Sequence, residues 1–152
     1  MENEQEQIQF RLANIMILSK NVNELKALQQ IKNKEDEIKF NYNFTINIDT
    51  KVNAGLSIVI QNVHVIINDI DTLDVLAEFK IAFFFEIIEF DKFISLNKDG
   101  VYHIPIQLDS ILKPVCISTA RGIIYSELRG TYLQTSIMPV IFMTDFAITQ
   151  NK

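Results

Sequence analysis

The pattern of apolar and polar residues predicts four strands, and regular alternation indicates a strand with one buried and one wet face. The alternation is most regular from Ile38 to Asp49, where every second residue is apolar and the residues between are Lys, Asn, Thr or Asp. The other predicted strands are Ile8–Leu18, Leu56–Asn68, which is apolar on both faces for much of its length, and Asp74–Ile88. In the first of them the apolar parity changes near Ala13–Asn14, which predicts a β-bulge.

The fourth stretch predicts opposite surroundings for its consecutive phenylalanines. Phe83 and Phe85 share their parity with a row of apolar residues, so both are predicted to face the core. Phe84 shares its parity with Leu76 and Glu78 on the outward face. An apolar side chain between acidic neighbours on that face is a candidate for contact with a subunit or a partner.

The last long pattern is helical and follows all four strands. It predicts a helix that begins between Gln107 and Ser110, with Asp109 or Ser110 as the cap, and that stops at Gly130. Pro114 near the start predicts an irregular first turn or a kink. Strands followed by one helix, without β-α alternation, predict the α+β class: a four-stranded antiparallel sheet with one long C-terminal helix packed on one face.

Length and charge narrow the classes of protein that fit. The 152 residues suit a single domain spanning 1–152, in which the acidic and polar residues 1–7 are expected to be disordered. A net charge of −5 argues against nucleic acid as a partner. The start of the chain lacks the basic and apolar regions of a signal peptide, so a cytoplasmic protein is expected.

The residues that could carry chemistry do not form a catalytic motif. Asp69, Asp71 and Asp74 begin like a calcium loop, but the loop's twelfth position, which requires Glu, is Lys80. Cys116 lies in the predicted helix beside Val115 and Ile117 and is predicted to be a small buried apolar residue; a reactive thiol would need a cation or a helix N-terminus that lowers its pKa. The four glycines build no phosphate loop. The prediction is therefore a protein that is not an enzyme and needs no cofactor or metal. His64, inside an apolar strand, is predicted to be a structural histidine.

The stretch from Pro114 to Pro139 resembles the end of the protein-export chaperone SecB. The likeness lies in Arg129-Gly130-Thr131-Tyr132 and in Pro139-Val140. That family typically ends its helix with Ser-Arg-Gly-Thr-Phe-Pro and continues with Ala-Pro-Val-Asn-Phe-Asp. The stretch Leu76-Ala-Glu78-Phe-Lys-Ile is similar to the Leu-Cys-Glu-Val-Gln-Gln strand of the family.

The resemblance implies an ATP-independent holdase that binds unfolded polypeptides in an apolar groove and delivers them to the translocase motor SecA. It also implies a homotetramer built as a dimer of dimers, which meets the membrane only through SecA. The residues that the resemblance assigns to SecA binding are Leu76 and Glu78. Those expected along the client groove are Ile38, Phe40, Tyr42, Tyr132, Ile137, Val140 and Phe142.

Two alternatives stay open. The family has acidic residues in its first strand, and the matching positions here lie near Ser19 and Asn23, so the site for SecA is incomplete. A SecB-like chaperone dedicated to a toxin–antitoxin system is therefore the first alternative. A hot-dog-like domain that binds a small ligand is the alternative from another class. It would show a closed pocket lined with phenylalanine and convergent polar groups.

Overall fold

The chain folds as an antiparallel sheet covered on one face by a long helix. The computed structural model describes residues 6–23, 42–134 and 136–139. The α+β class with four long strands and one long helix, predicted from the sequence, is confirmed. The elements in chain order are β1 (Phe10–Val22), β2 (Tyr42–Asn53), β3 (Ile58–Asp69), β4 (Val75–Ile87), α1 (Phe90–Phe93), the short pair β5 (Ser95–Leu96) and β6 (Tyr102–His103), and α2 (Ile106–Glu127).

The sheet has the strand order β1-β4-β3-β2, with every neighbouring pair antiparallel. Strands β1 and β2 therefore form the two edges, and β3 and β4 are flanked on both sides. The core lies between the middle strands and α2. The helix contributes a row of buried residues four apart, because that spacing keeps side chains on one helix face: Leu112, Cys116, Ala120, Ile124 and Leu128, the last just beyond the helix end.

Two bulges interrupt the pairing of β1 with β4. The first falls at Ala13, where the register passes from Leu12 to Asn14, and it confirms the bulge predicted from the change of parity. The second falls at Leu18, between Ile17 and Ser19, and the sequence pattern did not predict it. Bulges increase the local twist of a strand and re-aim its side chains. The bulge at Ala13 places Leu12 and Ile15, which are three residues apart, on the same face of the sheet, where they pair with Phe85 and Phe83.

A third irregularity overturns the predicted surroundings of Leu76. On β3, Ile67 pairs with Ala77 while Asn68 pairs with Val75, so Leu76 is an extra residue without a partner across the ladder. The prediction that Leu76 is exposed on the outward face is wrong: the residue is only 1% exposed and belongs to the core. Its neighbour Val75, predicted to face inward, is 42% exposed. The bulge reverses the alternation at this point.

The start of α2 also differs from the prediction. The helix begins at Ile106 with Pro105 at the N-cap position, and no side chain caps it. Asp109, predicted as a cap, instead lies one turn inside and forms an ion pair with Lys113 at 2.8 Å. Pro114 lies within the helix, about two turns from its start. Among the described residues, no helix is both long and apolar enough to span a bilayer.

Cys116 is expected to resist alkylation in the native protein. The residue is fully buried, and burial, with a smaller contribution from the carboxylate of Asp109, raises the pKa of its thiol to about 12. A thiol with a raised pKa stays protonated at neutral pH, and only the thiolate reacts. Iodoacetamide should label the chain in urea but not without it, as measured by mass spectrometry. Rapid labelling of the folded protein would contradict this assignment.

Candidate functional site

Edge strand β1 exposes apolar side chains on both of its faces. Ile15 and Ile17 pair with Phe83 and Ile81, which places them on the side of the sheet that faces α2, while Met16 pairs with Ala82 on the opposite side. The exposed apolar residues of this strand are 36–54% accessible: Leu12, Ile15, Met16, Ile17 and Leu18.

The outer edge of β1 has no strand partner within the described part of the sheet. A long edge strand presents a row of free backbone N–H and C=O groups. When such an edge also carries apolar side chains on both faces, it is a ready surface for another polypeptide. Strand β1 therefore has the features of an interface rather than those of a solvated edge.

A second apolar surface follows α2. Tyr132 is 47% exposed and Ile137 is 55% exposed, whereas the neighbouring Leu133 and Met138 are buried. The buried pair anchors the segment, and the exposed pair is held away from the core. The turns are fixed locally, because the hydroxyls of Thr131 and Ser136 donate to the carbonyls of Leu128 and Leu133, each at 2.7 Å.

Arg121 ties this segment to the helix. Its Nε donates a hydrogen bond of 2.7 Å to the carbonyl of Met138. The bond joins positions that are 17 residues apart, so the chain has turned and runs back beside α2. The acceptor belongs to the residue that follows the exposed Ile137, so the bond holds the guanidinium group of Arg121 close to the backbone of this segment.

The structure describes three of the seven residues expected along a client groove. Tyr132 and Ile137 lie in one exposed segment beside α2. Tyr42 lies at the start of β2, half-buried, on the face of the sheet that α2 covers. Burial, and secondly the charge of Asp69, raise the pKa of the Tyr42 hydroxyl to about 12. The four that lie outside the described residues are Ile38, Phe40, Val140 and Phe142.

The two residues expected to bind SecA do not form an exposed pair. Leu76 is buried at the bulge described above. Glu78 lies on the outer face of the sheet, where its carboxylate is 2.7 Å from Nε2 of His64 on β3. His64 thus has a partner in the sheet, which agrees with the structural role predicted for it.

One groove of the described residues has a volume of about 550 Å³ and lies between the segment before β1 and the start of α2. Its apolar lining comes from Ile8, Phe93, Pro105 and Ile111, so it contains one aromatic side chain. This geometry differs from the closed phenylalanine-lined pocket that the hot-dog-like alternative requires. Within the described ranges, no group of three or more His, Cys, Asp or Glu side chains could hold a metal ion.

Comparison with known proteins identifies the fold. No protein-family model matches the chain, and no curated protein matches its sequence. Among solved structures, the chain is similar to the SecB-like chaperone of Mycobacterium tuberculosis, determined in complex with a ChAD peptide from the HigA1 antitoxin. The TM-score is 0.57 at 10% sequence identity, and the match covers 88% of this chain and 91% of that one. The protein therefore has the fold of a SecB-like chaperone, as the helix-end motif had indicated.

Three features of the site were missed in the sequence, although two of them had a signal there. The run Ile15-Met16-Ile17-Leu18 is apolar at consecutive positions, which is typical of a strand that is covered on both faces, and the single chain leaves these residues exposed. Asp109 and Lys113 have the i,i+4 spacing of a helical ion pair. The bond from Arg121 to Met138 had no signal, because it depends on a turn that local patterns do not specify.

Proposed function

We propose that this protein is a holdase chaperone of the cytoplasm that binds unfolded polypeptide segments without nucleotide. The observation that carries the proposal is the exposure of Tyr132 and Ile137 in a chain with a SecB-like fold. Both side chains are presented by a segment whose other apolar residues are buried, so they are available to a client.

The chemistry of these side chains suits the task. Apolar burial contributes roughly 25 cal/mol per Å² and has no preferred direction, so one surface accepts many sequences. An exposed isoleucine beside an exposed tyrosine offers such area together with a hydroxyl that still reaches water. Weak, non-directional contacts of this kind hold an unfolded chain without requiring that it adopt one conformation.

The homotetramer implied by the resemblance belongs to the same proposal. Strand β1 supports it: its apolar side chains are exposed, its outer edge pairs with no strand in the described part of the chain, and a second copy of the chain would supply a matching edge. In this arrangement β1 forms the contact between subunits, and the segment after α2 stays open for clients.

A second candidate function is protection of an antitoxin rather than delivery of exported proteins to SecA. The SecB-like chaperone of Mycobacterium tuberculosis was determined with an antitoxin peptide, and its fold covers most of this chain. In addition, Leu76 is buried and Glu78 is engaged by His64, so the two residues expected to contact SecA offer it little surface. We therefore favour an antitoxin-like client over SecA as the partner.

The test is suppression of aggregation. Urea-unfolded luciferase diluted into buffer should scatter less light when the protein is present, and adding ATP should change nothing. Replacing both Tyr132 and Ile137 with serine should weaken client binding by about 2 kcal/mol, which is roughly 30-fold in dissociation constant. Fluorescence anisotropy of a labelled unfolded client would measure this loss.

Leu56→Ser is the matched control for the double variant. Leu56 is an exposed leucine in the turn between β2 and β3, at the end of the sheet where Ile58 pairs with Glu86, whereas α2 ends near the opposite end of the sheet, where Glu127 binds Lys20. Its replacement should leave client binding unchanged, because the effect is assigned to one surface and not to exposed apolar area in general. A wild-type protein that neither binds the client nor reduces scattering would exclude the holdase function.

A further inference from the structure

Arg121 is a half-buried cation that has no counter-ion among the residues described by the structure. In the described ranges, its one polar contact is the hydrogen bond from Nε to the carbonyl of Met138. Other charged side chains that pack against the fold are paired differently: the nearly buried Lys113 has Asp109, and Lys20 on β1 has Glu127 at the end of α2. Taking a charge out of water costs free energy unless a partner compensates it. The position of Arg121 therefore calls for an anion.

The geometry of the guanidinium group leaves room for that anion. Arginine carries five N–H donors in a planar fork, and the bond to Met138 uses the single donor on Nε. The donors on the two terminal nitrogens have no partner among the described residues. A planar pair of free donors matches the two oxygens of a carboxylate.

The surroundings identify where the anion would come from. The carbonyl that Arg121 holds belongs to Met138, and its neighbours on either side, Ile137 and Pro139, are exposed. A polypeptide segment that binds along this exposed stretch would run beside the backbone to which the guanidinium group is bonded. A carboxylate in that segment would reach the free donors, whereas a free small anion would gain nothing from the apolar side chains beside them.

We propose that Arg121 is the polar anchor of the client surface and that it binds a carboxylate of the client. This proposal rests on the holdase function proposed above and names its substrate class: unfolded segments in which Asp or Glu lies among apolar residues. Through Nε the same side chain positions Ile137, so Arg121 sets both the shape of the surface and its selectivity.

The net charge of the protein predicts the opposite client preference from the one proposed for Arg121. At −5 the chain repels acidic peptides at long range, so composition predicts a preference for basic clients. A preference for acidic segments would have to come from a local group. It would also shrink less steeply with salt than a purely exposed ion pair does, because a half-buried charge is screened less.

The experiment compares two peptides that differ in one atom group. A fluorescein-labelled synthetic peptide with two leucine- and phenylalanine-rich stretches separated by a single Glu is titrated by anisotropy, alongside the same peptide with Gln. Wild-type protein should bind the Glu peptide about tenfold more tightly, as expected for a charge-assisted hydrogen bond. In Arg121→Gln the two affinities should become equal, and Arg121→Lys should keep part of the preference.

Two further variants separate this role from general effects. Arg129→Gln removes a cation that lies 5.9 Å from the ring of Tyr125, and it should preserve the preference for Glu. Ile137→Ser should weaken both peptides equally. Equal binding of the two peptides by wild-type protein would overturn the role of Arg121 while leaving the holdase function intact, and this comparison stands even if Arg121→Gln fails to fold. Binding of neither peptide would overturn both.

Discussion

Replacing Phe83 with alanine is expected to lower the free energy of unfolding by about 4 kcal/mol. Phe83 is completely buried at the centre of β4, between Ile15 on β1 and Gln61 on β3. Strands on both sides and α2 above it limit how far the site can collapse around the missing ring. The cost therefore includes a cavity as well as the lost transfer free energy. Urea denaturation at a single protein concentration would measure it, because an oligomer's stability depends on concentration.

Phe84→Ala supplies the control one residue away. Phe84 points to the outer face of the sheet and is only half-buried, so its truncation should cost about 1 kcal/mol. Both variants remove the same side chain from the same strand. Similar losses would therefore contradict the assignment of Phe83 to the core and Phe84 to the outer face.

Alternation was a reliable guide wherever one face of a strand is wet. In β2 the half-buried residues are the apolar ones predicted, such as Phe44 and Ile46, and the residues between them are exposed. When one face of a strand is buried, shifting the pairing by one residue would move its apolar side chains to the exposed face. The pattern therefore specifies the register strongly. The same logic assigned Phe83, Phe84 and Phe85 correctly.

The alternation of apolar and polar residues does not predict which side chain is buried where two adjacent residues are both apolar. Val75 and Leu76 are equally suited to the core by composition, so only the pairing of β4 with β3 decides which one is buried. The predicted start of α2 was also wrong, because packing rather than the local pattern decides the partner of Asp109. A cap at Asp109 would contribute about 1 kcal/mol, and that residue instead compensates the nearly buried ammonium group of Lys113, which would otherwise be costly.

The residues of the candidate site differ in how far the sequence points to them. Tyr132 and Ile137 were predicted because they belong to a motif with a family likeness. Arg121 was not predicted, because its hydrogen bond depends on a carbonyl that lies beside it only after the chain turns at Gly130, where φ is +80°. Patterns of hydrophobicity report which residues need cover, but they do not report which donors are left without a partner once the chain has folded.

The oligomer is expected to dissociate when an exposed apolar residue of β1, Ile17, is replaced by a charged one. Wild-type protein should have a mass near 70 kDa by light scattering, four times the 17.5 kDa of one chain. Ile17→Lys should shift the protein to smaller species at the same concentration. Lysine on an edge strand is a common means by which proteins prevent pairing with another edge.

The size of the effect follows from the position of Ile17. Its side chain lies on the face of β1 that α2 leaves partly open, so a subunit that covers β1 would enclose the new ammonium group. Enclosing a charge without a partner costs about 3 kcal/mol, which is roughly 100-fold in the dissociation constant between subunits. The folded monomer should tolerate the change, because the residue is accessible in the single chain.

Leu56→Lys distinguishes a subunit interface at β1 from a general effect of added charge. Leu56 is 65% exposed in the turn between β2 and β3, so the substitution makes the same change of charge at an exposed apolar position outside β1. Its mass should equal that of the wild type.

If Ile17→Lys keeps the wild-type mass, β1 is not the interface between subunits, and its exposed edge would then require a different cover. A wild-type chain that is monomeric at every concentration would exclude the tetramer itself, and β1 would become a second surface open to clients.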